Sequence, residues 1–325
     1  MKIRILSSKD IKQLLSMPQA IDLMRVAFAE LTQNRVIVPL RTITEFEQPQ
    51  LNVFYKPCYS TKTNVVGVKL LTQTKAGIVS PTIQGINILM DANTGCFLAI
   101  IDGTYLTALR TGATSGLATD LLARKDAQVA AIFGAGAQGR TQLEAICSVR
   151  KIERAFIFDT NKNAVENYIA EMKHCLGETT LVAGENVQQL READVICTAT
   201  STSKPLFSFA DVKKGAHINA VGSYKPYMQE IDAQIMKEGH LYVDQKSACI
   251  AEAGDLIQPM KEGLLREEDI IAELGELVTG RSLCRQNEQA ITVFKSVGIA
   301  IQDLVAAHAV YQKAVVQNTG VLVDI

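Results

Sequence analysis

Residues 129–146 read VAAIFGAGAQGRTQLEAI, an apolar run that meets three glycines and gives way to a helical pattern. Few stretches restrict a fold as strongly. The apolar run 129–133 ends at Gly134 and reads as a buried strand, while RTQLEAICSV (140–149) places Leu143, Ile146 and Cys147 on one helix face. The spacing Gly134-x-Gly136-x-x-Gly139 gives each glycine its own task. The first makes a tight turn, the second admits a pyrophosphate close to the backbone, and the third lets helix pack tightly on strand. The helix N-terminus adds N–H groups and positive dipole for the anion. Alone the motif is weak, but a second strand, AFIFD (155–159), follows at the required distance. It ends in Asp159, 20 residues past Gly139, where a carboxylate hydrogen-bonds a ribose 2′-hydroxyl. The expectation is a dinucleotide-binding βαβ unit. That carboxylate repels a 2′-phosphate and favours NAD(H), although Lys162 offsets part of the repulsion and NADP(H) stays open.

The alternation continues downstream. NAVENYIAEMKHCL (163–176) is an amphipathic helical stretch, and TTLVA (179–183), DVICTAT (194–200), AHINAVG (216–222) and HLYVD (240–244) are short apolar strands. Strands alternating with helices build a parallel sheet covered on both faces. Ligands of such sheets lie beyond the carboxyl ends of the strands, which makes CTATSTS (197–203) and AVGSYKP (220–226) candidate cofactor loops. Both also read as ordinary small-residue turns.

The first 115 residues differ. KIRILS (2–7), VVGVKLLTQ (65–73), TIQGINILMD (82–91) and CFLAIIDG (96–103) are strands separated by turn residues, with IDLMRVAFAELTQ (21–33) as a helix. They describe a mostly antiparallel sheet. A long helical pattern, 101–123, bridges to the second region, and a helical stretch 297–315 leads to the strand-like tail TGVLVDI (319–325), placed to return to the first. At 325 residues the chain suits two domains. Its net charge of −1 gives no footprint for nucleic acid or an anionic membrane, and no run reaches transmembrane length. Lys9 and Asp10 interrupt any leader-like apolar stretch at the start. Seven scattered cysteines and four histidines show neither disulfide nor zinc spacing, so no metal and a reducing, cytoplasmic setting are expected.

Three basic residues sit in apolar surroundings: Lys69 within VVGVKLLTQ, Arg110 within YLTALRTGATSG, and Arg41 after Val-Pro-Leu. Such residues are rarely buried without a partner. A substrate carboxylate is one such partner, gripped by arginine bidentately, and a salt bridge within the protein is the other. Ser115 and Ser201 have no histidine partner in the pattern, which disfavours nucleophilic hydrolysis.

The set VKLLTQ, LTALRTGATSG, FGAGAQGRTQLEAI, NAVGSYKPYMQEID and ITVFKSVGIAIQDLVAA, in order over about 2–318, resembles the ornithine cyclodeaminase/mu-crystallin family, most closely its ketimine reductase members. The resemblance implies an α/β fold in which a doubly wound Rossmann parallel sheet (116–298) is inserted into a smaller α+β substrate and dimerisation domain (1–115 plus 299–325) of a homodimer. It also implies that Arg41, Lys69 and Arg110 hold the substrate carboxylate and reacting centre, with Lys69 catalytic. Dinucleotide contacts are implied for Thr111, for the turn of Gly134, Ala135, Gly136, Ala137, Gln138 and Gly139, and for Asp159. The same holds for Thr198, Ala199, Thr200 and Ser201, and for Val221, Gly222 and Ser223. Val297 matches a position beside the nicotinamide.

Activities differ within the family. Ornithine cyclodeaminases resemble A-V-G-G-D-C-P where this chain reads AVGSYKP, so Tyr224 stands at the position of an aspartate thought to manage the side-chain amine. A phenol with a pKa near 10 is no carboxylate base at neutral pH. The expectation is NAD(P)H-dependent reduction of Δ1-pyrroline-2-carboxylate, with Δ1-piperideine-2-carboxylate as a second substrate, giving L-proline and L-pipecolate. Ornithine cyclodeaminase, alanine dehydrogenase and a non-catalytic dinucleotide-binding protein are the alternatives.

Overall fold

Two eight-stranded sheets organise the chain, one in each of two compact units, Met1–Arg110 with Ile299–Ile325, and Thr111–Gly298. The computed structural model describes residues 1–48, 50–74 and 82–325. The first unit contains β1 (Lys2–Leu6), α1 (Ser8–Leu14), α2 (Met17–Thr32), β2 (Val36–Ile37), β3 (Thr42–Phe46), β4 (Leu51–Ser60), β5 (Val65–Thr74), β6 (Ile83–Asp91) and β7 (Phe97–Asp102). Helix α3 (Gly103–Leu122) runs through the point where the units divide. The second unit continues with β8 (Val129–Phe133), α4 (Ala137–Val149), β9 (Arg154–Phe158), α5 (Lys162–Met172), β10 (Thr180–Ala183), β11 (Val195–Thr198) and β12 (His217–Ala220). After these come α6 (Ala233–Glu238), β13 (His240–Val243), α7 (Lys246–Glu252), α8 (Gly254–Lys261), β14 (Ile270–Glu273), α9 (Leu274–Val278) and β15 (Thr292–Lys295). Helix α10 (Ala300–Gln317) and β16 (Val321–Asp324) belong to the first unit again.

In the first unit the strand order is β16-β1-β7-β6-β5-β4-β2, with β3 also on β4. Every pairing is antiparallel except β1 with β7. The tail strand β16 pairs with β1, Lys2 opposite Asp324. Strand β4 is absent from the sequence expectation because Lys56-Pro57 breaks its apolar alternation. The sheet tolerates Pro57 because β3 pairs with residues 51–55 and β2 with 59–60, so the position lacking an N–H faces the gap between them. On one face Lys56, Lys69 and Asn87 lie in register across β4, β5 and β6, and α10 packs over them. On the other face, Tyr55, Leu70 and Ile86 form one apolar row and Pro57, Val68 and Ile88 the next, all at least partly exposed in the single chain. Helix α2 buries Met17, Ala20, Ile21, Met24, Ala27 and Phe28, a three-four spacing that yields one apolar stripe against α10.

The second unit holds a fully parallel sheet ordered β10-β9-β8-β11-β12-β15-β13-β14. From β8 the chain winds outward through β9 to β10, then restarts on the other side of β8 at β11. The carboxyl ends of β8 and β11 therefore flank a topological switch point, where doubly wound sheets bind ligands. Ile132, Leu143, Ile146, Ile157 and Val195 fill the core beside this crossing. Buried Tyr168 donates its hydroxyl to Gly139 O at 2.9 Å, fixing α5 to the start of α4. Strand β15, unmarked in the sequence reading, lies between β12 and β13.

Arg150 closes the carboxyl end of α3. Its Nη2 donates to the carbonyls of Thr119, Asp120 and Ala123, each at 3.0 Å, and its Nε to that of Arg124 at 2.8 Å. Helix-end carbonyls need such donors. Arg150→Met keeps the apolar stem and removes every one, and should lower unfolding stability by about 3 kcal/mol in urea titrations. A loss below 1 kcal/mol would mean water replaces the guanidinium there.

Candidate active site

Lys69 projects from the middle of β5 and is 2% exposed. Its Nζ lies 2.8 Å from Asp303 Oδ2 and 2.9 Å from Oδ1, and 3.3 Å from Thr107 Oγ1. Arg110, one turn from Thr107 along α3, donates from Nε to Asp303 Oδ1 at 2.9 Å and from Nη1 to Gln302 Oε1 at 2.9 Å. Gln302 Oε1 also accepts the Ile299 N–H at 2.8 Å, which fastens the start of α10. Each element contributes for a local reason. Period-two alternation turns Lys56, Lys69 and Asn87 to the α10 side of the sheet, and the three-four spacing of α3 brings Thr107 and Arg110 to one face.

The electrostatics follow from this burial. Burial would raise the Asp303 carboxyl, but Arg110, Lys69 and Lys56 together hold it well below the ordinary carboxylate range. For Lys69 burial is the largest influence, opposed by Asp303 and assisted by Arg110 and Arg41, and the ammonium is brought down to about 8. Lys56 is lowered well below the usual lysine range by burial and then by Lys69. Arg41, half-buried just before β3, sets its guanidinium 5.8 Å from the Phe54 ring centroid, and its charge acts on both lysines. Two of the three expected cations, Lys69 and Arg110, thus meet at a carboxylate of the protein itself, with Lys56 beside Lys69 in the sheet and Arg41 close enough to act on both lysines. A space of about 10 Å³, the size of one water, is lined by Lys56, Lys69, Asn87 and Asp303 on the side of Lys69 that faces the sheet and α10.

Lys56, Gln302 and Asp303 were missed in the sequence reading. Asp303 is the traceable one, since a lone carboxylate inside VGIAIQDLVAA asks for a buried cation just as Lys69 asks for an anion.

The expected cofactor residues other than Thr111 lie in the second unit at or just past the carboxyl ends of β8, β9, β11, β12 and β15. Gly134 has φ +107°, a left-handed conformation favouring glycine, and a Cβ there would lie 2.6 Å from Ala199 O. A Cβ on Gly139 would lie 2.0 Å from Gly134 O, which no side chain can satisfy. Nothing lies within 4 Å of a Cβ built on Gly136, so the turn is open on that side, as an approaching diphosphate requires. Ala135 donates its N–H to Asp159 Oδ2 at 2.8 Å, and Asn161 donates to Oδ1 at 2.9 Å. Asp159 is exposed and its oxygens retain further acceptor capacity toward a ribose. Ala137 opens α4 beside half-buried Gln138, and Thr111 is buried in α3.

Thr198 and Thr200 bond a buried glutamate, Glu230, as does the Gly222 N–H, while Ser201 is exposed. Val221 donates its N–H to Thr198 O at 2.9 Å, and Ser223 Oγ donates to Met228 O at 2.8 Å. Val297 and Gly298 donate their N–H groups to Asp244 Oδ2 at 2.9 and 2.8 Å. These residues fit a dinucleotide: a glycine turn open to diphosphate, a helix N-terminus, and a carboxylate one strand away.

Fold and site together define a Rossmann-type α/β protein with a second, α+β unit that carries a buried cluster of basic side chains. The chain belongs to the ornithine cyclodeaminase/mu-crystallin family, whose sequence profile matches residues 1–318. It is 36% identical over 319 residues to a Δ1-pyrroline-2-carboxylate reductase of Bacillus cereus, covering 97% of this chain and 98% of that protein. The structure of Thermococcus litoralis Δ1-pyrroline-2-carboxylate reductase in complex with NADH and L-proline matches with a TM-score of 0.95 at 38% identity, over 99% of this chain and 100% of that one. An archaeal alanine dehydrogenase dimer with bound NAD matches with a TM-score of 0.92 at 30% identity, over the whole of both chains.

Asp303→Asn would leave Lys69 and Arg110 buried without their counter-charge, at a cost of about 3–5 kcal/mol in urea unfolding at neutral pH. Because the folded carboxyl titrates below its ordinary 3.8, its contribution is complete above that value and disappears as pH falls through the lower, folded one. The wild-type and D303N stabilities should therefore converge on acidification. Parallel curves would show that the carboxylate charge is not the stabilising element.

Proposed function

We propose that the chain reduces Δ1-pyrroline-2-carboxylate to L-proline, and the six-membered Δ1-piperideine-2-carboxylate to L-pipecolate, with NADH favoured over NADPH. The observation that carries this reading is the meeting of Lys69 and Arg110 at Asp303, which holds a proton-bearing ammonium beside an oriented guanidinium. A cyclic imino acid matches that pair, because its carboxylate lies directly beside its reacting C=N. Kinship with proteins of this named activity supports the same conclusion.

NAD(H), when bound, supplies the hydride. The chain's own residues bind, orient and protonate. Arg110 and Arg41 hold the substrate carboxylate, Arg110 being fixed in direction by Asp303 and Gln302. Lys69, brought to about 8, is protonated at neutral pH and gives its proton to the imine nitrogen. C2 gains the hydride and nitrogen the proton, so the C=N bond becomes CH–NH. No base for a side-chain amine is needed, in keeping with Tyr224 at the position where the family resemblance places the aspartate of cyclodeaminases. We further propose a homodimer, which the alanine dehydrogenase relative described as a dimer supports, joined through the partly exposed apolar face of the first sheet with Val68 and Ile88 at its centre.

The deciding experiment follows NADH loss with Δ1-pyrroline-2-carboxylate, alongside ammonia release from L-ornithine with NAD. Imine-dependent NADH oxidation without ammonia is expected; ammonia and proline from ornithine without net NADH change would replace reduction by cyclodeamination. In the imine assay Lys69→Met should lower kcat/KM by about 10²–10⁴-fold. Wild-type activity should fall as pH rises through about 8, where Lys69 loses its proton. Lys69→Arg keeps the charge but cannot release a proton, so it should be as impaired as Lys69→Met; near-normal activity would reduce Lys69 to an electrostatic anchor.

For the assembly, Val68→Glu should convert a dimer into a monomer in size-exclusion chromatography with light scattering. An unchanged mass would place the interface elsewhere.

A further inference from the structure

Glu230 is completely buried, and the mechanism above does not use it. Its Oε1 accepts the Thr200 N–H at 2.6 Å and the Thr200 hydroxyl at 2.7 Å. Its Oε2 accepts the Gly222 N–H at 2.7 Å and the Thr198 hydroxyl at 2.8 Å. One backbone N–H is therefore fixed on each oxygen, and the four donors span the loops that follow β11 and β12. Gly222 must be glycine for this arrangement, because a Cβ there would lie 2.4 Å from Glu230 Oε1 and 2.3 Å from Thr200 O.

Glu230 is held in turn. Asp255, at the start of α8, accepts the N–H groups of Glu230 and Ile231 on Oδ1 at 2.7 and 3.0 Å. Lys295, at the end of β15 and fully buried, sits 3.1 Å from Asp255 Oδ2 and donates to Ala220 O at 3.1 Å. Burial and Asp255 push the Glu230 carboxyl up, while Lys295 and the Thr200 donors oppose them. A chain of charges thus runs from the end of β15 through α8 to the loops after β11 and β12.

We propose that Glu230, backed by Asp255 and Lys295, is a positioning residue for dinucleotide binding: it sets the distance and orientation of the Thr198–Ser201 and Val221–Ser223 loops without touching the cofactor. This rests on reading those loops as cofactor contacts. A carboxylate is required because only two acceptor oxygens can serve two outward-fixed N–H donors. An amide offers one acceptor and one donor, and its NH2 would face an N–H.

The test is Glu230→Gln, with direct titration of NADH by its fluorescence, together with Thr200→Val, which removes only one hydroxyl donor. Ile146→Val, a change in the core of the same unit, controls for lost stability. Glu230→Gln should raise the NADH dissociation constant at least 10-fold and Thr200→Val about 3-fold, while Ile146→Val leaves it unchanged at a comparable fall in Tm. The KM for the imine at saturating NADH should stay within 2-fold of wild type in both loop variants. Hydrogen exchange should show lost protection at the Thr200 and Gly222 amides of E230Q, with the β8 and β9 amides unaffected. Should E230Q not fold, Thr200→Val decides through the Gly222 amide, which Thr200 does not touch: weaker NADH binding with lost protection at Gly222 supports the positioning role, and weaker binding with Gly222 fully protected overturns it. NADH affinity within 2-fold of wild type in every folded loop variant would overturn the positioning role. Asp159→Ala separates the two layers: if it too leaves NADH affinity unchanged, the reading of the cofactor face fails, and if it weakens binding while E230Q does not, only Glu230 is misassigned.

Discussion

A single buried carboxylate organises the first unit. Asp303 receives Lys69 from β5 and Arg110 from α3, so an ion triad joins sheet, central helix and carboxyl-terminal helix at one point. The hydrophobic effect would seat α10 on β4–β6 in any of several registers, since Leu304, Val305 and their neighbours offer apolar contact without direction. Charged partners in a low-dielectric interior are directional and intolerant of displacement. With α10 fixed in this way, β16 returns beside β1, and a chain interrupted by residues 111–298 still closes one sheet.

The same triad prepares chemistry. An ammonium buried among other cations is driven toward neutrality, and Asp303 moderates that pressure so that Lys69 comes to rest near 8 instead of losing its charge altogether. Structural anchor and chemical tuning are here one set of bonds.

The second unit solves a different problem with a related device. Its parallel sheet ends in loops of small residues whose backbones have to be held open for a ligand, and small side chains supply little packing to hold them. Glycine at 134 and 139 removes side-chain bulk where backbones nearly touch, and the buried carboxylates of Asp244 and Glu230 take up the N–H groups that the loops expose. Bonds to a buried charge are worth more than neutral ones, which suits loops without a core of their own.

The legible parts of this protein are those encoded within about thirty consecutive residues. Gly134, Gly136, Gly139 and Asp159 announce their unit because the turn, the helix start and the acidic strand end belong to one βαβ segment. The isolated charges of Lys69 and Arg110 could be seen to need partners, since burying an unpaired cation is prohibitively costly whatever the fold. What sequence alone could not supply was the partner. Asp303 lies 234 positions from Lys69, and Glu230 meets Gly222 and Thr200 only because parallel strands bring their carboxyl ends to one edge. Strand β4 escaped notice for a similar reason: Pro57 is admissible only where neighbouring strands leave its position unpaired. Local sequence determined the periodicities, the glycine turn and the presence of buried charge, because these depend on steric and solvation costs within a short segment. Which charges meet, and how Lys69 titrates in consequence, was decided by tertiary structure, because electrostatic energy inside a protein depends on distances that only the folded chain defines.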